Sequence, residues 1–182
     1  MSKTIVILAV VLVAAGAGAL SYHLRFEEES KAPVLHVRNE FEFMVHAPYK
    51  LAAPLFGPEG ERAWAGGHWD PHFLYPQPAQ DIEGAVFQVS HGHHDSTWVN
   101  TAFDLDRGHI QYVYFIPDMM VTRIDLHLTQ PDAATTKVQV AYERTALNAA
   151  ANDHVRDLGE ADRKNGPEWG GDIERYLNRQ RQ

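Results

Sequence analysis

The stretch LHVRNEFEFMVHA, residues 35–47, alternates along its whole length. Its odd positions are Leu35, Val37, Phe41, Phe43, Val45 and Ala47, interrupted only by Asn39. Its even positions are His36, Arg38, Glu40, Glu42 and His46, interrupted only by Met44. Successive side chains of a strand point to opposite faces, so this pattern predicts a long strand with one face on a core and one in water. Pro48 ends it.

Downstream the pattern changes, then returns. Residues 49–67 are punctuated by Pro54, Pro58, Gly60 and Gly66-Gly67 and predict two short helical turns. Strand signals follow at close spacing: 85–91, 97–103, 109–116, 120–128 and 137–143. They are separated by HGHHDS, DLDRG, Pro117-Asp118 and TQPDAAT. Connections this short predict antiparallel neighbours. After Leu147 the chain becomes helical, with an imperfection expected at Gly159. In the final segment Gly166 and Pro167 mark a helix start, and Trp169, Ile173, Tyr176 and Leu177 share one face. The fold class is therefore α+β. A curved antiparallel sheet of about six to seven strands wraps around a C-terminal helix, with two short helices after the first strand and a space between sheet and helix.

This order, with PLFGPEGERAWAGGHWDPHFLYP (54–76), GAVF (84–87), TWV (97–99), QYV (111–113), VQVAYERTAL (138–147) and WGGDIERYL (169–177), resembles the START-like superfamily, also called SRPBCC or Bet v 1-like. The stretch 54–76 is similar to a pattern of small bacterial members of unassigned function. The resemblance spans roughly Val34 to Leu177 and implies a helix-grip fold. It also implies a function among carriers of lipids and hydrophobic ligands, cyclases, hydroxylase ligand domains and stress proteins. Two departures fall where a cavity mouth would lie: the extra Gly66-Gly67-His68 before Trp69, and a helix break at Asn165-Gly166-Pro167.

Aromatic and soft side chains cluster on the middle of the chain. Trp64, Trp69, Phe73, Tyr75, Trp98, Tyr112, Tyr114 and Met120 are the candidate cavity lining, because ligand pockets are walled mainly by apolar and aromatic groups. The same residues also suit an ordinary core. Glu61, Tyr112 and His109 are candidate acid–base groups by residue type. Glu59, Glu61 and Arg62 otherwise read as first-turn charge and a solvated ion pair. His91, His93 and His94 offer weak metal ligands, although Gly92 and a turn spoil strand geometry there, and the plain alternative is a solvated hairpin tip. His68, Asp70 and His72 form a second small group. No G-x-S-x-G, P-loop or G-x-G-x-x-G is present outside the N-terminal apolar run, so no nucleotide cofactor is implied.

The net charge of −8 with neutral histidine argues against nucleic acid as a partner. The absence of cysteine removes disulfides and thiolate chemistry. After Lys3, no Asp, Glu, Lys or Arg occurs until Arg25. Residues 1–25 therefore read as a membrane anchor crossing at 4–24, or as a signal peptide ending in a small-x-small motif. Residues 26–33 read as a linker and 34–182 as the START-like domain. Either N-terminal reading places the domain in the cell envelope, at the periplasmic or extracytoplasmic face of the inner membrane. The expected function is binding of a small hydrophobic or amphipathic ligand between sheet and C-terminal helix. The alternatives are a cyclase- or dehydratase-like enzyme of the same fold and a histidine-based envelope metal-binding protein.

Overall fold

The computed structural model describes residues 33–90 and 94–181. The alternating stretch forms β1 (His36–Val45). Two short helices follow, α1 (Tyr49–Ala52) and α2 (Pro58–Glu61), joined by a 3₁₀ turn over Ala53–Phe56. The remaining strands are β2 (His72–Tyr75), β3 (Val86–Ser90), β4 (Asp95–Asp104), β5 (His109–Ile116), β6 (Met120–Asp132) and β7 (Thr135–Ala146). Two helices close the chain, α3 (Asn152–Asp162) and α4 (Asn165–Gln180). The expected α+β architecture is present as one seven-stranded antiparallel sheet in the order β1-β7-β6-β5-β4-β3-β2. Strands β2 to β7 form a meander, and β1 joins it beside β7.

Register sorts the side chains into rows. Ile110, Leu126, Val140 and Phe41 pair across β5, β6, β7 and β1 on the inner face. One step along lie Tyr112, Ile124, Tyr142 and Asn39, and beyond them Tyr114, Thr122, Arg144 and Val37. The opposite face carries the alternate residues, including His109, His127, Gln139 and Glu42 in one row.

The C-terminal helices lie against β1 and β7. Glycines let them approach the sheet closely. A β-carbon on Gly166 would come within 2.8 Å of Phe41 Cδ2, so only a glycine lets α4 approach β1 this closely. Helix α3 runs unbroken through Gly159, where the expected imperfection does not occur. Glycine there makes room for Val37, whose Cγ2 lies 3.0 Å from the β-carbon position. The break between helices falls at Arg163-Lys164, slightly before the Asn165-Gly166-Pro167 expected from the sequence.

A buried charge pair fixes the helices to the sheet. Arg144 occupies an inward position of β7, with 6% of its side chain exposed, and Asp162 at the end of α3 has 2% exposed. Arg144 Nε and Nη2 donate to the two Asp162 carboxylate oxygens at 2.8 and 2.6 Å. Nη1 donates to the Tyr114 hydroxyl at 2.6 Å and to Thr122 Oγ1 at 3.2 Å. The guanidinium also lies 4.7 Å from the Tyr142 ring centroid. Removing one partner leaves an uncompensated buried charge, which costs ~3–5 kcal/mol, whereas replacing both by apolar groups is often near neutral. Arg144→Met and Asp162→Leu are each expected to lose stability on that scale in denaturant titrations. The double variant is expected to recover most of the loss, and purely additive losses would show that the pair does not act as a unit.

Candidate functional site

The bend over 53–71 is built to bring particular side chains over the sheet. Gly60 packs against the chain, because a β-carbon there would meet the Pro54 carbonyl oxygen at 2.0 Å. Asp81 accepts hydrogen bonds from the backbone N–H groups of Glu59 at 2.8 Å and Gly60 at 3.1 Å, holding the first turn of α2. Arg62 faces water and pairs with Glu59 at 2.7 Å and with Asp70. Glu61 and Trp64, three apart on the other side of this bend, turn inward.

Between this bend, the sheet and α4 lies a cavity of about 220 Å³. Tyr112, Ile124 and Tyr142 form its floor as one cross-strand row, with Leu126 and Trp98 beside them. Trp64 and Trp69 wall it from the bend, and Trp169 covers it from α4. Trp169 stands 5.7 Å from Trp64 and meets Phe41 edge-on at 5.7 Å. Trp69 meets Trp98 edge-on at 5.3 Å. His68, Glu168 and Asp172 complete the lining, and His68 and Glu168 are exposed.

The polar atoms of this wall are mostly occupied. The indole N–H of Trp64 donates to the Leu55 carbonyl at 2.7 Å, and that of Trp69 to the Pro58 carbonyl at 2.9 Å. Trp98 donates to Ser96 Oγ at 2.7 Å. The Tyr112 hydroxyl donates to the Phe56 carbonyl. The cavity therefore meets aromatic faces more than donors.

The Glu61 carboxyl, like the Tyr142 hydroxyl, has no hydrogen-bond partner among the described residues. The residue surface of Glu61 is 8% exposed, and burial, followed by the charge of Asp81, holds its carboxyl well above the ordinary value of 4.5. A protonated acid in an apolar wall is a hydrogen-bond donor and a proton source. Burial likewise pushes the phenols of Tyr112 and Tyr142 well up, so both are neutral donors.

The structure sorts the expected residues. Trp64, Trp69, Trp98 and Tyr112 line the cavity together. Phe73 is buried as core, stacked on Phe87 with centroids 5.4 Å apart. Tyr114 is buried beneath Trp98 at 4.1 Å and bound to Arg144. Met120 is buried outside the cavity lining, and Tyr75 is 57% exposed at the edge strand. Glu61 is not the solvated charge expected from its helix first turn. His109, expected as an acid–base candidate, lies on the opposite face of the sheet. His94 is exposed, while His91, His93 and the 1–25 segment lie outside the described residues. His72 is exposed on β2, and Asp70 is engaged by Arg62, so these two do not join His68 at the cavity. Tyr142, Ile124, Leu126 and Trp169 also line the cavity, although they are not among the residues expected there. Tyr142 was readable from the alternation of β7, and Trp169 from its place on the apolar face of α4.

No protein-family model matches this chain, and no curated protein matches it either. Solved structures do match. An uncharacterised protein from Rhizobium leguminosarum aligns with a TM-score of 0.55 at 16% identity, covering 81% of this chain and 97% of its own. Norcoclaurine synthase from Thalictrum flavum, in complex with dopamine and hydroxybenzaldehyde, aligns at 0.57 with 9% identity, covering 80% and 88%. The Zhui aromatase/cyclase from Streptomyces sp. R1128 aligns at 0.57 with 17% identity, covering 80% and 96%. At these identities the likeness is one of fold: the chain has the helix-grip, Bet v 1-like fold that the sequence resemblance implies. Among the described residues no helix is long and apolar enough to cross a membrane.

Glu61 gives a pH signature. Because its folded-state value is raised, the folded protein holds this proton more tightly than the unfolded chain. The associated loss of stability is absent at or below the ordinary glutamate value, grows as pH rises toward the folded-state value, and levels off above it. Glu61→Gln is therefore expected to match the parent near pH 4 and to exceed it at higher pH. The gap should widen by up to ~1.4 kcal/mol per pH unit until the folded-state titration is passed. Thermal unfolding of both proteins across pH 4–8 reads this directly, and a constant difference would mean that Glu61 is ionised in the folded state.

Proposed function

We propose that this chain binds a small amphipathic molecule in the cavity between the sheet and α4. The supporting observation is a 220 Å³ chamber walled by Trp64, Trp69, Trp98, Trp169, Tyr112 and Tyr142, with the buried Glu61 among them, its carboxyl held well above the ordinary value by burial. Its volume sets the ligand class. Drug-sized ligands take pockets of ~300–1,000 Å³, and an apolar cavity of ~150 Å³ accepts benzene. This chamber therefore suits one aromatic ring or a short chain, not a two-chain lipid. Aromatic faces receive the apolar body. Glu61 meets the polar end, donating to a neutral acceptor or passing its proton to an amine and pairing with it. Glu168 adds negative charge to the lining and disfavours an anionic ligand, while the charge of Asp172 is offset by its ion pair with Arg175.

The apolar run over residues 4–24 supports placing this binding domain outside the cytoplasm, in the cell envelope, tethered to the membrane or released from a signal peptide. A second reading, a cyclase- or dehydratase-like enzyme, is favoured by Glu61 itself. An acid held protonated in an apolar cavity has the character of a general acid. Norcoclaurine synthase and the aromatase/cyclase share this fold. On that reading the acid's partner is Tyr142 or a water molecule, since the Tyr112 hydroxyl is spent on Phe56 and His109 is elsewhere.

Titration of tryptophan fluorescence with p-cresol, tyramine and 4-hydroxyphenylacetate tests the binding reading. We expect saturable changes with the phenol and the amine and at least ~10-fold weaker binding of the carboxylate, a difference of ~1.4 kcal/mol. Exchange of Glu61 for Gln should weaken tyramine more than p-cresol. Saturation by long-chain fatty acids but by none of the single-ring probes would overturn the ligand class.

A further inference from the structure

The outer face of the sheet carries a second constellation, independent of the cavity. His109 on β5 and His127 on β6 are direct cross-strand partners, and Asp125 lies two residues before His127 on the same face. His109 Nε2 is 2.8 Å from Asp125 Oδ1, and His127 Nε2 is 3.6 Å from that same oxygen. The two imidazoles are stacked nearly parallel, with centroids 4.9 Å apart and planes 6° from one another. One ligand atom from each residue falls within 4.8 Å of the other two.

We propose that His109, Asp125 and His127 bind a divalent first-row transition metal, of which zinc is the simplest probe. Two neutral imidazoles and a carboxylate are a donor set for zinc and its neighbours, not for magnesium or calcium, which take oxygen ligands. With metal–ligand bonds of ~2.0–2.2 Å, tetrahedral ligand atoms stand ~3.4 Å apart. The His127–Asp125 separation of 3.6 Å is close to this value, the 2.8 Å His109–Asp125 contact must open slightly, and the stacked imidazoles must turn about their side-chain torsions so that both ring nitrogens face one ion. Both strands are internal to the seven-stranded sheet, so the three side chains are carried on a backbone paired on both sides.

Two further features support the site. Gln111, opposite Asp125 in register, donates from Nε2 to Asp125 Oδ2 at 3.2 Å. That leaves Oδ1 for the metal and orients the carboxylate, as outer partners do in metal sites. A groove of about 380 Å³ borders Asp125 and His127 and runs toward Arg38, Glu40, Glu42 and Gln139. Its hollow comes from Ala141, a small side chain in the row between Asp125 and Glu40. Three protein ligands leave a fourth position, and this groove gives water or a ligand atom access to it.

The test uses the full chain purified without a histidine tag, stripped with EDTA and titrated with zinc, with bound metal measured by elemental analysis. Asp125→Asn, which keeps the side chain's shape, is compared with His127→Ala and with a triple variant, His91→Ala, His93→Ala and His94→Ala. We expect one zinc per chain in the parent and in the triple variant, with a matching rise in Tm. We expect zinc affinity to fall in Asp125→Asn and His127→Ala by more than the ~10–100-fold that loss of an outer partner costs. Magnesium and calcium should leave Tm unchanged. Zinc retained by the Asp125 and His127 variants but lost from the triple variant would move the site to the hairpin and overturn the proposal. A parent that binds no zinc would overturn it as well. Circular dichroism at matched conditions separates loss of metal from loss of fold.

Discussion

The charge pair between Arg144 and Asp162 sets the geometry on which the cavity depends. Arg144 stands in the same inward row as Tyr114 and Thr122, so three neighbouring strands present its partners side by side. Its remaining donors reach Asp162 in a two-point contact whose planarity fixes the end of α3. Only Arg163 and Lys164 separate that end from α4. The start of α4 is therefore referred to β7 by a short chain of rigid contacts, and Trp169 sits within two turns of that start. Trp169 is the residue that covers the chamber. A slack pair would let α4 slide along β1 and would change both the height and the access of the space beneath it.

The glycines of the helical segment act in the same direction. A helix packed through large side chains stands 8–10 Å from its neighbour. Glycine at 166 brings α4 closer to β1 at one end, with Phe41 filling the gap. Farther along, the Gly170 β-carbon position lies 3.4 Å from Phe43, and Glu174 accepts from the His46 N–H, so α4 follows β1 along its length and the space lies over β5, β6 and β7. The bend over 53–71 fills most of that space with Phe56, Trp64 and Trp69, and what remains is the small chamber.

Much of this was legible in the sequence, for a physical reason. Period-two alternation in β1, β5, β6 and β7 reports directly which face is inward, and short turns between strands force the meander. Four cavity aromatics followed from clustering alone. What escaped was decided by partners far along the chain. Glu61 looks like a first-turn charge until the sheet and α4 close over this bend and bury it. Arg144 continues the apolar side of β7 after Tyr142, and an arginine at an inward position requires a buried acid, but nothing local points to Asp162. Tyr75 and Met120 have the composition of cavity lining, yet one falls on the edge strand and the other beyond the end of the chamber. The three residues of the outer face were invisible as a group, because His109 and His127 meet only through register.

The two faces of this sheet treat ionisable groups in opposite ways, and that contrast is informative about what each can do. On the inner face, Glu61 is buried and meets no cation among the cavity-lining residues other than the exposed His68, so burial raises its carboxyl well above the ordinary value. Such a group is kept only at a cost in stability, because a glutamine or a leucine would fill the same volume without a titration penalty. On the outer face, His109, Asp125 and His127 remain partly solvated, with 34%, 21% and 59% of their side chains exposed; His109 hydrogen-bonds Asp125 and stacks on His127. They incur little desolvation, and their convergence is set by two strands that cannot shift register without inverting both faces. A costly isolated acid in an aromatic chamber is the arrangement expected of a group that meets a ligand's polar end. A low-cost convergent trio on a rigid surface is the arrangement expected of a group that awaits a cation.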